Sequence, residues 1–252
     1  MKIKKYSKGK SNQYKVTIDD VDYTIYDDVI IKFGLLLKKD ISASVLKDIL
    51  KYNDELDSYY LSIKYITKKL RSEKEIYEYL KKKDISENVI NDTIARLKEN
   101  KFLDDELYLK AYINDQINLS NNGPRKIAKN LLTLGLDETY INNALSNIDA
   151  SIWEEKIDKY VSKKVNTNHN SSVKMLKMKI INDLVNLGYD KEIIMPIINN
   201  YEIDDHEVYK HEYEKAKRQL EKKYEGYELE RKIREKLYRK GFFYNKEDFY
   251  EE

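Results

Sequence analysis

The run KIAKNLLTLGL, residues 126–136, decides the fold, because three other stretches repeat its pattern. They are EIYEYLKKKDI (75–85), KIINDLVNLGY (179–189) and KIREKLYRKGF (232–242). Each sets an isoleucine at its first apolar position, a leucine four residues on, Gly or Asp four residues after that, and then another apolar residue. The isoleucines are Ile76, Ile127, Ile180 and Ile233, spaced 51, 53 and 53 apart. A period of this size marks a repeat architecture. The Gly or Asp has a physical reason: a helix commonly ends with a residue in the left-handed region, where glycine carries no Cβ penalty and Asp is tolerated. Gly135, Gly188 and Gly241 fill that position in three copies and Asp84 in the first.

Apolar helical runs flank each copy. Val89, Ile90, Ile94 and Leu97 follow the first, Ile141, Leu145 and Ile148 the second, and YYLSIKYITKKL (59–70) precedes the first. Each unit is therefore three helices in about 50 residues, stabilised by its neighbours. The pattern predicts a mainly α chain of tandem three-helix repeats in an elongated, curved array, with a small β-hairpin segment at the N-terminus. The expected divisions are residues 1–58 (hairpin and a linking helix), 59–103, 104–150, 151–203 and a partial fourth repeat over 204–252.

The hairpin is read from YKVTI (14–18) and VDYTI (21–25), two alternating runs joined through Asp19 and Asp20. Residues 1–18 hold six lysines and no acid, whereas residues 19–28 hold five aspartates and no base. An isolated hairpin is marginal, so a third strand or the helix starting after Ser42 is expected to cover it.

Serine and glutamate in RSEKEIYEYL (71–80) could suggest a nucleophile and base. Ser72 and Glu75 instead fit the N-cap and N3 positions of a capping box ahead of Ile76 and Leu80. The second copy has Gly123-Pro124 there, proline being suited to the first helical position. In the third copy NTNHNSS (166–172) lacks a basic, capped helix start. His206 and His211 are five apart and share no helix face, so no metal site is expected. Asp104-Asp105 invites a nuclease reading, but Asp at a helix start is an ordinary cap. With no glycine-rich phosphate loop, no cofactor and no enzyme activity are expected.

The 252 residues are 37% charged with a net charge of only +2 and contain no cysteine. No signal-like apolar run exists, and VIIKFGLLL (29–37) is too short to span a bilayer. A cytoplasmic, membrane-independent monomer is expected. The 23 tyrosines accompany abundant Lys, Ile and Asn, the mix that A+T-rich codons favour. Two clusters stand out as a contact surface for a polyanion or acidic partner. Residues 60–83 carry eight bases and three acids, among them Lys68, Lys69, Arg71, Lys81, Lys82 and Lys83. Residues 213–240 carry eleven bases and six acids, including Arg231, Arg234 and Arg239. Arg125, Lys126 and Lys129 add a smaller basic edge at a helix N-terminus.

YITKKLRSEKEIYEYLKKK (65–83), VINDTIARLKENKFLDD (89–105), AYINDQ (111–116) and NGPRKI (122–127) together resemble the RecX family of recombination regulators. DVIIKFGL (28–35) and the later repeats look like its longer form. The resemblance implies a non-enzymatic protein that binds the RecA–single-stranded DNA filament and inhibits its ATPase and strand exchange. The other reading is a helical-repeat protein that binds DNA directly, marked by tight, steeply salt-dependent binding without recombinase; with a net charge of +2, weak non-specific DNA contact is expected instead.

Overall fold

A computed structural model describes Met1–Phe243. Its contacts divide into two compact units, residues 1–110 with 133–136, and residues 111–132 with 137 onward.

The first unit opens with three antiparallel strands, β1 (Ile3–Lys8), β2 (Gln13–Ile18) and β3 (Val21–Tyr26), in the order β1-β2-β3. Strands β2 and β3 form the expected hairpin, and β1 adds the third strand beside β2. Asp19 (φ 47°) and Asp20 (φ 70°) are both left-handed, the geometry of a type I′ turn that matches strand twist. The divided charge is spent between strands: Lys4 pairs with Asp20 and Lys15 with Asp22, each at 2.7 Å. Val16, Ile18 and Ile25 are fully buried beneath α1 (Asp27–Lys32) and α2 (Ala43–Ile66). Helix α2 is continuous, so the linking helix and the first helix of the first repeat are one. Its cap is Ser42, whose hydroxyl accepts the Val45 N–H.

Helices α3 (Glu73–Lys81) and α4 (Glu87–Glu99) complete the first three-helix set. The second comprises α5 (Asp105–Leu119), α6 (Pro124–Thr133) and α7 (Glu138–Ser146). The third is α8 (Ala150–Asn166), α9 (Val173–Asn186) and α10 (Lys191–Asn199), followed by the pair α11 (His206–Leu220) and α12 (Gly226–Arg239). The remainder of the expected fourth repeat lies outside the described residues. Ile76, Leu80, Ile127, Leu131, Ile180, Leu184 and Ile233 are fully buried.

One joint recurs three times. Ser72, the cap of α3, accepts the Glu75 N–H through Oγ and donates to Leu134 O, one residue before Gly135 (φ 85°). Ser172, the cap of α9, accepts the Met175 N–H and donates to Lys240 O, one residue before Gly241 (φ 84°). The third repeat therefore does have a capped start, contrary to the sequence reading; α9 begins one turn further upstream of its apolar motif than α3 and α6 do of theirs. At the remaining joint Gly123 N–H donates to Leu187 O (2.7 Å) and Arg125 N–H to Gly188 O. A Cβ on Gly123 would lie 2.8 Å from the Gly188 carbonyl, so only glycine lets these backbones meet.

A second element of the joint comes from the helix that starts 32 residues later. Asp105 accepts the Glu73 N–H, and Asp205 accepts the Val173 N–H, each acceptor 32 positions beyond its donor. Both donors are first-turn amides that the helix itself leaves unsatisfied. Pro124 occupies that position in α6 and has no N–H to satisfy. Thirty-two residues on (156 − 124 = 32) stands Lys156 instead of Asp, and its ammonium caps the end of α5 by donating to Ile117 O and Ser120 O.

Candidate partner-binding surface

In the first unit five exposed lysines of the predicted cluster lie at two chain reversals. Lys68 and Lys69 follow the end of α2. Lys81, Lys82 and Lys83 close α3, Lys82 as its C-cap, where they face the negative end of the helix dipole. Tyr79 stacks on Tyr65 (centroids 4.2 Å apart, planes 11° apart), with Lys83 5.5 Å from the Tyr79 centroid. Arg71 lies 3.9 Å over Tyr65 and bonds Glu75 Oε1 at 2.9 Å. Its guanidinium is therefore engaged inside the fold, unlike the five exposed lysines.

Glu75 completes the capping box by accepting the Ser72 N–H. Burial works against its charge, but the bonds from Ser72 N–H, Arg71 and Tyr108 outweigh it and hold its pKa below the usual value. Asp105 goes the other way. Burial raises it, with Glu73 and Asp104 adding repulsion, more than the Glu73 N–H lowers it. Asp104 accepts the Leu107 N–H as an ordinary cap. The aspartate pair thus serves two helix starts.

In the second unit the predicted basic residues separate by role. Arg125 pairs with Asp190, and Lys126 backs onto Gly188, where a Cβ would come 2.4 Å from its N. Lys129 is exposed. On α12, Arg231, Arg234 and Arg239 are all exposed, with Arg231 near Glu228 (3.6 Å) and Glu235 (3.9 Å). Such i,i+3 and i,i+4 surface pairs are worth only about 0.3–0.5 kcal/mol and leave the arginine available to a stronger acceptor. The same face carries Tyr227 (84% exposed) and Tyr238 (66%). Tyr227, Arg231, Arg234 and Tyr238 line one shallow depression. Their 4-3-4 spacing puts them in a single stripe. Sequence reading missed the two tyrosines by assigning tyrosine to codon bias; the spacing was the available signal. Tyrosine and arginine together are the composition of interface hot spots.

Helix α12 is anchored from below. Lys240 pairs with the buried Glu212 of α11, and that bond holds the Glu212 pKa below its usual value against the cost of burial. Tyr213 OH donates to Glu230 at 2.8 Å.

Fold and surface together define a protein of tandem three-helix domains that presents exposed basic helix ends and faces. The profile of the RecX first three-helix domain matches residues 59–97, and that of its second three-helix domain matches residues 104–145. "Regulatory protein RecX" of Streptococcus agalactiae serotype III (strain NEM316) is 32% identical over 97% of this chain and 96% of its own length. The protein of that name from Oceanobacillus iheyensis is 29% identical over 94% of this chain and 92% of its own. The crystal structure of RecX from Lactobacillus salivarius superposes with a TM-score of 0.55 at 28% identity, covering 59% of this chain and 96% of that one. A second crystal structure of regulatory protein RecX gives a TM-score of 0.68 over 79% of this chain and 99% of its own, at 22% identity, and speaks for the fold. This chain belongs to the RecX family. Among the described residues no helix is long and apolar enough to cross a membrane.

Proposed function

We propose that this protein is a non-catalytic cytoplasmic regulator, active as a monomer, that binds RecA recombinase assembled on single-stranded DNA and inhibits its ATPase and strand exchange. The observation that supports this reading is similarity, over 94–97% of this chain, to proteins named regulatory protein RecX. Exposed lysines at the end of α3 and arginines on α12 supply the electrostatic complement to an acidic protein surface or to phosphate. The test is the ATPase rate of the cognate recombinase on single-stranded DNA, titrated with this protein. Inhibition at ratios well below one per recombinase, with little DNA binding alone at the same salt, is the expected result. No inhibition at equimolar protein would refute it.

A second reading, direct binding of single-stranded DNA, is favoured by the α12 stripe, because tyrosines stack on bases while arginines take phosphates. It predicts retention of single-stranded DNA without recombinase, and inhibition only at concentrations that coat the DNA.

A further inference from the structure

Helix α1 ends at Lys32, and Gly34 (φ 59°) turns the chain into a short 3-10 turn, Leu35–Leu37. Leu35 is fully buried, yet its two neighbours are among the most exposed apolar side chains described, Leu36 at 69% and Leu37 at 93%. Ile31, at the end of α1, is 75% exposed.

This turn is tied down on both sides. Tyr6 OH donates to Leu35 O (2.9 Å), Leu37 N–H to Gly34 O (3.1 Å), Lys38 N–H to Leu35 O (3.2 Å) and Ile3 N–H to Lys39 O (2.9 Å). Two leucines are thus held out from a rigid base, and their burial against a partner would carry little ordering cost. Lys38 and Lys39 follow the apolar tip and are exposed, Lys32 before it lies over the Tyr52 ring (3.4 Å), and Asp40 is the next acid along the chain.

We propose that Ile31, Leu36 and Leu37 form a knob that seats in an apolar, carboxylate-rimmed pocket of the recombinase. The inference rests on the regulator reading above and adds a contact remote in sequence from the three-helix domains. The chemistry selects a protein over nucleic acid: leucine and isoleucine offer a phosphate nothing, and base stacking calls for aromatic or guanidinium planes. It selects a pocket with acidic margins because two exposed lysines, Lys38 and Lys39, follow the tip against a single acid, Asp40. Single scattered leucines on a surface need no explanation, but Leu36 and Leu37 on one hydrogen-bonded turn, with Ile31 at the end of the helix before it, are a group of exposed aliphatic side chains.

The test uses the full chain with two double variants, Leu36→Gln/Leu37→Gln and Lys38→Glu/Lys39→Glu, in the recombinase ATPase titration. With wild type inhibiting, each variant is expected to lose about tenfold or more in potency. Their far-UV circular dichroism and melting temperature should match wild type, because the altered side chains are exposed. If the leucine pair melts lower, the potency of Leu37→Gln alone decides the question. Full inhibition by the leucine variant overturns the knob and leaves the regulator reading standing. Absence of inhibition by wild type overturns both. Wild-type binding to phosphatidylserine vesicles, or a wild-type dimer in sedimentation, lost in the leucine variant while inhibition is kept, also overturns it and assigns the tip elsewhere.

Discussion

Ser72 is 1% exposed and its oxygen serves two backbones at once. Ser72→Ala removes a cap acceptor and strands the Leu134 carbonyl, so a loss of about 1–3 kcal/mol is expected in urea denaturation. Gly123→Ser tests the opposite intuition. Serine is the better cap residue in isolation, but its Cβ would collide with the Gly188 carbonyl, so the substitution should destabilise by more than about 1 kcal/mol. Asp105→Asn should be tolerated at neutral pH, since the amide oxygen still accepts the Glu73 N–H and the burial cost of charge disappears. Asp105→Ala should not. The carboxylates also set opposing pH dependences. Glu75 and Glu212 are depressed when folded, so their stabilisation is present above about 4.5, the ordinary glutamate value, and is lost as pH falls through the folded values. Asp105 is raised when folded, so its contribution improves as pH falls through its folded value toward its ordinary one. Acid titration of Glu212→Gln should therefore show a shallower loss of stability below pH 4.5 than wild type. The capping box was legible in the sequence because Ser72 and Glu75 are three residues apart. Asp105 reads in sequence only as a cap on its own helix, since its bond to Glu73 is tertiary. The constant offset of 32 is apparent only once the joint is known.

Among the elements, the repeated helices were legible because their apolar period, the left-handed terminator and the apolar return recur at fixed offsets. The start of helix α9 was not, because NTNHNSS reads as loop and hides the cap in its final serine. Strand β1 gives no signal of its own because IKKYSK does not alternate; it is held by pairing with β2, by Lys4 on Asp20, and by Ile3 and Tyr6 packed against the core. Leu80→Ala, at a fully buried site in α3, should cost about 2–5 kcal/mol. On α12, the triple change of Arg231, Arg234 and Arg239 to Glu should weaken filament inhibition while leaving helix content intact. Unchanged inhibition by that variant would remove α12 from the contact surface. The site was half legible. Its charges could be counted from composition, but the engagement of Arg71 inside the fold and the surface pairing of Arg125 depend on Tyr65, Glu75 and Asp190, which only the folded chain brings close.

At the scale of the molecule, bases and acids nearly cancel, 47 against 45. Salt dependence of nucleic-acid affinity is nonetheless set by the phosphates a local surface contacts and not by this net charge. If the three α12 arginines were the sole phosphate contacts, the slope of log K against log salt would be about −2 for a single strand. A slope of about −6 or steeper in a filter-binding titration would point to a far larger electrostatic footprint. The recurring joint carries a separate consequence for evolution and engineering. An amide at the first helical position goes with an aspartate 32 residues on, and a proline goes with a lysine. The domains are thus keyed, not interchangeable cassettes. A chimera that grafted a proline-led helix opposite Asp105 would leave a half-buried acid without its donor.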